Sequence, residues 1–101
     1  MAEKDIERFL VNGVKKQGGV AYKFVSPGNA GVPDRLIVMP GGKIYFVELK
    51  TEKGVPTVLQ CRQMDRLFSL GCDVTLLQGL EQVKNFLARI SEVKPGDETN
   101  A

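Results

Sequence analysis

The stretch GVPDRLIVMPGGKIYFVELKT, residues 31–51, holds two apolar runs, Leu36–Met39 and Ile44–Leu49, separated by Pro40-Gly41-Gly42. Apolar runs interrupted by a glycine-rich turn of this length read as a β-hairpin. Asp34 stands just before the first strand, and Glu48 and Lys50 stand at the end of the second. A hairpin folds those ends together, so two carboxylates and an ammonium converge on one spot. A two-residue turn would pair positions whose numbers sum to 83 and send Asp34 and Glu48 to opposite faces. A three-residue turn gives a sum of 82 and sets Asp34 opposite Glu48 on one face. A shared acidic site therefore demands the three-residue register or a compensating bulge.

Working outward, residues 3–17 read as a helix stopped by Gly18-Gly19, with Ile6, Leu10, Val11 and Val14 along one stripe. Glu7 falls inside that stripe, where a carboxylate is costly unless it is paired, binds metal or reaches solvent at the edge. Val20–Val25 reads as a strand carrying Lys23, and Ser26–Pro33 as a loop by its prolines and glycines. After a second loop, Glu52–Val55, a helix runs from Pro56-Thr57 to Leu70, with Cys61, Met64, Leu67 and Phe68 as its apolar stripe. Gln60, three residues after Thr57, fits a capping box, and could alternatively project toward the charged end of the hairpin. Cys72–Leu77 is a further strand and Leu80–Ile90 a closing amphipathic helix with Leu80, Val83, Leu87 and Ile90 on one side. The expectation is an α/β fold, order αβββαβα, with a mixed central sheet flanked by helices, spanning residues 1–90 as one domain. The polar segment 91–101 is expected to fray as a C-terminal tail.

Composition narrows the chemistry. The chain of 101 residues contains no histidine, which removes Ser-His-Asp and Cys-His catalysis and any His-ligated metal. Two cysteines, Cys61 and Cys72, are too few for a structural zinc site and are expected to be buried free thiols. A metal would have to be held by oxygen, which favours magnesium or manganese. Residues 1–70 carry eleven Lys/Arg against seven Asp/Glu, a net +4, while residues 71–101 carry three against five, a net −2. That asymmetry is compatible with a polyanionic partner. No apolar run approaches a membrane span and the N-terminus lacks signal-peptide character, so a cytoplasmic location is expected.

Asp34 and Glu48 can bind magnesium, and Lys50 can orient or help deprotonate an attacking water, with Glu7 able to complete the metal shell. The same residues would also serve as an ordinary strand start and a Glu/Lys ion pair. Taken together, Gly31-Val32-Pro33-Asp34, Val47-Glu48-Leu49-Lys50, Gln60 and a preceding helical Glu7 resemble the virus-type replication-repair nuclease (VRR-NUC) family of the PD-(D/E)XK nuclease superfamily. The resemblance runs over residues 6–90. It implies a restriction-endonuclease-like core and magnesium-dependent phosphodiester hydrolysis, with Mn2+ able to substitute. It implies metal roles for Asp34, Glu48, Glu7 and Leu49, a catalytic role for Lys50 and a supporting one for Gln60. Lys23, Arg35 and Lys53 are the candidate nucleic-acid contacts. Stand-alone relatives are similar to Holliday junction resolvases and tend to be homodimers, so branched DNA and a second copy are the expected partners. A flap or single-strand nuclease with the same site is the alternative enzyme, a non-catalytic DNA-binding module the alternative of another class, and a small α/β interaction protein the remaining reading.

Overall fold

The computed structural model describes residues 1–91, so the expected C-terminal tail lies outside the described residues apart from Ser91. The first helix, α1, spans Glu3–Lys16 and stops where the sequence places its glycines. Gly18, at φ +87°, turns the chain left-handed, and the Gly18 and Gly19 amides donate to the Lys15 and Val14 carbonyls. Only glycine adopts that conformation cheaply. Acids Glu3 and Asp5 in the first turn and Lys15 and Lys16 in the last complement the helix dipole.

Four strands follow the expected order, β1 (Val20–Lys23), β2 (Arg35–Met39), β3 (Lys43–Lys50) and β4 (Val74–Gln78), with α2 (Val58–Ser69) between β3 and β4 and α3 (Leu80–Ser91) at the end. The sheet order is β1-β2-β3-β4. The first two pairings are antiparallel and β3–β4 is parallel, which makes the sheet mixed. A parallel neighbour requires a crossover, and α2 supplies it.

The hairpin turn decides the register. Met39 pairs with Lys43 across Pro40-Gly41-Gly42, and the Gly42 amide donates to the Met39 carbonyl at 3.1 Å. Gly41 and Gly42 sit at φ +88° and +77° with open space where side chains would be. Two consecutive left-handed residues are what this glycine pair permits. The pairs Arg35↔Val47, Leu36↔Phe46 and Ile37↔Tyr45 all sum to 82, the three-residue register.

Alternation then sorts the sheet into two unlike faces. Ile37, Met39, Tyr45, Val47, Leu49 and Leu77 are buried against Ile6, Leu10 and Val14 of α1 and Val83, Phe86, Leu87 and Ile90 of α3. Tyr45 meets Phe86 edge-on at 5.7 Å between ring centroids. The opposite face carries Leu36, Phe46, Val74 and Leu76 half-buried, with Tyr22 and Ile44 exposed. Here the sequence expectations need correction. The stripe of α2 does not enter a core: Met64 and Leu67 are half-buried, Cys61 is exposed and Phe68 is 71% exposed. The helix packs chiefly on β4, at one side of the sheet, and leaves much of that face open. For the same reason the two cysteines are not buried thiols. Both are free, Cys61 exposed and Cys72 half-buried.

Candidate active site

The residue before β2 is Asp34, and continuing the ladder one step sets it opposite Glu48. The contact is explicit. The Leu49 amide donates to Asp34 Oδ2 at 2.9 Å, while the Phe24 amide donates to the Asp34 carbonyl at 2.8 Å. The acid is therefore held by β3 through its side chain and by the extension of β1 through its backbone. Within a strand, the N–H and C=O of one residue point to the same side. The Lys50 carbonyl faces β4, where it accepts from Gly79 at 2.9 Å, so the Leu49 carbonyl faces Asp34.

Among the described residues, Glu48 is the one charged residue of the core, only 1% exposed. Its Oε2 lies 3.6 Å from Lys50 Nζ, two residues on along the same face. Its Oε1 is buried with no hydrogen-bond partner. Burial, and then the negative charge of Asp34, push the Glu48 carboxyl up from 4.5 to about 7, against the opposing pull of Lys50. An orphaned buried oxygen is expensive, and this one lies on a carboxylate that feels the charge of a second acid, Asp34.

The loop ahead of Asp34 is braced from α2. Gly31, at φ +89°, leaves room so tight that a Cβ there would come within 2.8 Å of the Leu59 carbonyl carbon and oxygen. Gln63 Nε2 donates to the Ala30 carbonyl at 3.2 Å. Gly31→Ala combines a strained φ with a backbone clash. It is expected to cost about 1–3 kcal/mol in urea unfolding and to lower any activity of Asp34 with it.

The structure brings together Asp34, Glu48, Lys50 and the Leu49 carbonyl. It does not bring Glu7 into that group. Glu7 Oε2 pairs with Arg35 at 2.9 Å, on the sheet face that carries α1, while Glu48 points to the other. Arg35, expected at nucleic acid, is spent on this pair and on the Ala21 carbonyl at 3.1 Å, with a side chain only 14% exposed. Among the described residues, no three acidic, cysteine or histidine groups cluster closely enough to hold a metal ion. Gln60 forms the capping box: its Oε1 accepts the Thr57 amide at 2.8 Å and its own amide donates to Thr57 Oγ1 at 3.1 Å. That leaves its side-chain nitrogen outside the cap. Lys23 and Lys53 are exposed, on β1 and on the loop after β3. Sequence reading passed over Gln63 and Gln78. Gln78 pairs with Lys50 across the parallel β3–β4 ladder and donates through Nε2 to the Gly54 carbonyl at 2.8 Å. No local pattern signals either residue, because both matter only through segments distant in sequence.

No family model matches the chain. A protein of Acyrthosiphon pisum secondary endosymbiont phage 1, named "Putative nuclease p44", is 56% identical over 75 residues, covering 74% of this chain and 81% of that protein. A solved structure described as a VRR_NUC domain superposes with a TM-score of 0.81 at 29% identity, over 85% of this chain and 94% of the other. The chain belongs to the VRR-NUC nuclease family. A second VRR_NUC domain protein, at 20% identity and a TM-score of 0.68 over 88% and 87% of the two chains, shares the VRR-NUC fold. The expected order αβββαβα is thus the family's architecture, and the hairpin carrying Asp34 and Glu48 lies at its centre.

Proposed function

We propose that this VRR-NUC protein is a metal-dependent, structure-selective DNA endonuclease that hydrolyses phosphodiester bonds, with branched DNA such as a Holliday junction as its substrate. The observation that carries the reading is the buried, unpartnered Oε1 of Glu48 beside Asp34 and Lys50. The donor set suits magnesium, which takes one or two carboxylates and completes its shell with water and substrate phosphate. Asp34, Glu48 and the Leu49 carbonyl would hold it. When bound, the ion polarises the phosphoryl group and stabilises the leaving oxyanion.

The chain's own residues do the rest. Asp34, its Oδ2 fixed by the Leu49 amide, keeps its other oxygen for the ion. Lys50 supplies positive charge to the phosphate as negative charge builds in the transition state, and orients the attacking water. Its half-buried stem and its pairing with Glu48 restrict where the ammonium can go. Lys23 and Lys53 contact neighbouring phosphates, which gives shape and backbone recognition rather than base readout. Arg35 belongs with them only indirectly: it holds Glu7 and steadies the strand that begins just after Asp34. Gln60 supports the site from the first turn of α2.

A two-fold symmetric junction has two strands to cut, which a homodimer would match. The open sheet face and the helix beside it support a second copy: Tyr22 and Ile44 on the strands and Phe68 on α2 are between 50% and 71% exposed, an apolar surface of the kind that marks protein contacts. Among the described residues no helix is long and apolar enough to cross a membrane, and a cytoplasmic site of action accords with a DNA substrate. Labelled four-way junctions, flaps, single strands and duplexes incubated with Mg2+ test the reading. Junction cleavage that EDTA abolishes is expected. Equal cutting of all four would defeat the junction preference, and no cutting of any would defeat the enzyme.

A further inference from the structure

Two loops flank the site, one between β1 and Asp34 and one between Lys50 and α2, and a glutamine side chain bonds to each. Gln63 holds the loop before Asp34 through the Ala30 carbonyl. The loop after Lys50, residues 51–56, has a different problem. Half of its residues are exposed, and it leads to a helix with no buried residue. Its internal hydrogen bond, Gly54 amide to Thr51 carbonyl at 3.0 Å, is local. The long-range bond recorded for it comes from Gln78 Nε2 to the Gly54 carbonyl at 2.8 Å, in a half-buried setting. Gln78 can reach because the parallel ladder places it beside Lys50, and its own amide is anchored to Gln82 Oε1 at 2.8 Å.

Where Gln78 pulls the loop is the informative part. Gly54 lies so close to the end of β3 that a Cβ on it would stand 3.1 Å from Lys50 Cβ and 3.2 Å from the Thr51 amide nitrogen and hydroxyl. The loop backbone therefore passes beside the base of the Lys50 side chain, with no room for a side chain between them. Lysine has a flexible four-carbon stem, and its ammonium is useful to the site only in a narrow range of positions. Backbone this near Cβ limits the choice at the first rotatable bond, where each conformer displaces the ammonium most.

We propose that Gln78 is a positioning residue for Lys50: its side-chain amide latches the 51–56 loop over β3, and the latched loop holds the lysine toward Glu48. The role rests on the nuclease function proposed above. Gln78 touches no reacting atom, so its loss should act on turnover rather than on affinity. Misplacement by a fraction of an ångström at a catalytic group is enough to slow a reaction strongly.

The test replaces Gln78 with methionine, which keeps length and apolar stem and deletes the donor. With Mg2+, Gln78→Met is expected to lower single-turnover cleavage about tenfold. DNA affinity measured in Ca2+ should stay within about twofold, since the phosphate-contacting lysines are untouched. Hydrogen exchange of the Gly54 amide should accelerate while the β2–β3 ladder amides keep their protection. Gly54→Ala, which presses on Lys50 from the loop and leaves Gln78 in place, should lower turnover in the same direction. It provides the reading if Gln78→Met fails to fold. A Gln78→Met protein that cuts at the wild-type rate, or an unchanged Gly54 exchange, overturns the latch. The wild-type protein tells the two failures apart. If it cuts no DNA, the nuclease reading falls and the positioning role with it; if it cuts normally and Gln78→Met matches it, only the positioning role falls.

Discussion

Glu48→Gln is expected to abolish DNA cleavage and, without metal, to make the protein more stable. The two effects have one cause. The Glu48 carboxyl is raised from 4.5 to about 7 by burial and by Asp34, so its ionised form is the costly one in the fold. Between these two values the unfolded chain has released a proton that the folded chain still holds. Stability therefore falls as pH rises from about 4.5 to about 7, and above that the whole penalty remains. Full conversion of the shift would be about 3 kcal/mol. Relaxation of the protein around the ionised group recovers part of this, so the expected gain is about 1–2 kcal/mol. In EDTA at pH 8, the variant should unfold at higher urea by that amount, and at pH 4 the two proteins should converge. Cleavage should drop by a factor on the order of 10³ or more, because a neutral amide contributes much less to holding a cation and its charge stabilisation is worth several kcal/mol. A Glu48→Gln protein that is no more stable at pH 8 in EDTA would mean that the buried carboxylate is satisfied in some other way.

Lys50→Met should cost turnover about 10²–10³-fold while leaving the fold and DNA affinity nearly intact. Methionine preserves the packed stem and deletes the ammonium that sits 3.6 Å from Glu48. A second consequence follows from the same ion pair. Lys50 pulls the Glu48 carboxyl down, so removing it should raise that carboxyl further. In EDTA, the stability of Lys50→Met should then keep falling to a higher pH than that of the wild type. Urea unfolding across pH 4–9 checks the direction, and a shift to lower pH would contradict the assigned pairing.

The parts of this protein that its sequence specifies most sharply are those set by local chemistry. Gly41 and Gly42 admit the left-handed pair that a three-residue turn requires, and the turn alone puts Asp34 across from Glu48. Thr57 and Gln60 define the start of α2 by their reciprocal cap, as their spacing implies. What the sequence leaves open depends on which segments meet. Glu7 on its helical wheel is compatible with an ion pair, a metal shell or solvent at the stripe's edge, and the wheel alone does not say which group faces it. Its partner is Arg35, which reaches it because alternation turns residue 35 toward α1 while residue 34 turns away. The stripe of α2 has the period of a buried face, yet periodicity says only that a face exists, and the open sheet beside β4 leaves Phe68 in solvent. Gln78 carries no motif at all. Its place beside Lys50 is a product of parallel pairing between strands separated by a whole helix.

The pair of carboxylates is the core of the account, and the most direct measurement is a crystal structure grown with Mn2+ and collected at its absorption edge. An anomalous peak between the Asp34 and Glu48 carboxylates, within bonding distance of the Leu49 carbonyl and absent from Glu48→Gln crystals, is the predicted result. A peak elsewhere, or none in a crystal saturated with Mn2+, would contradict the assignment of these residues as the metal site of the nuclease.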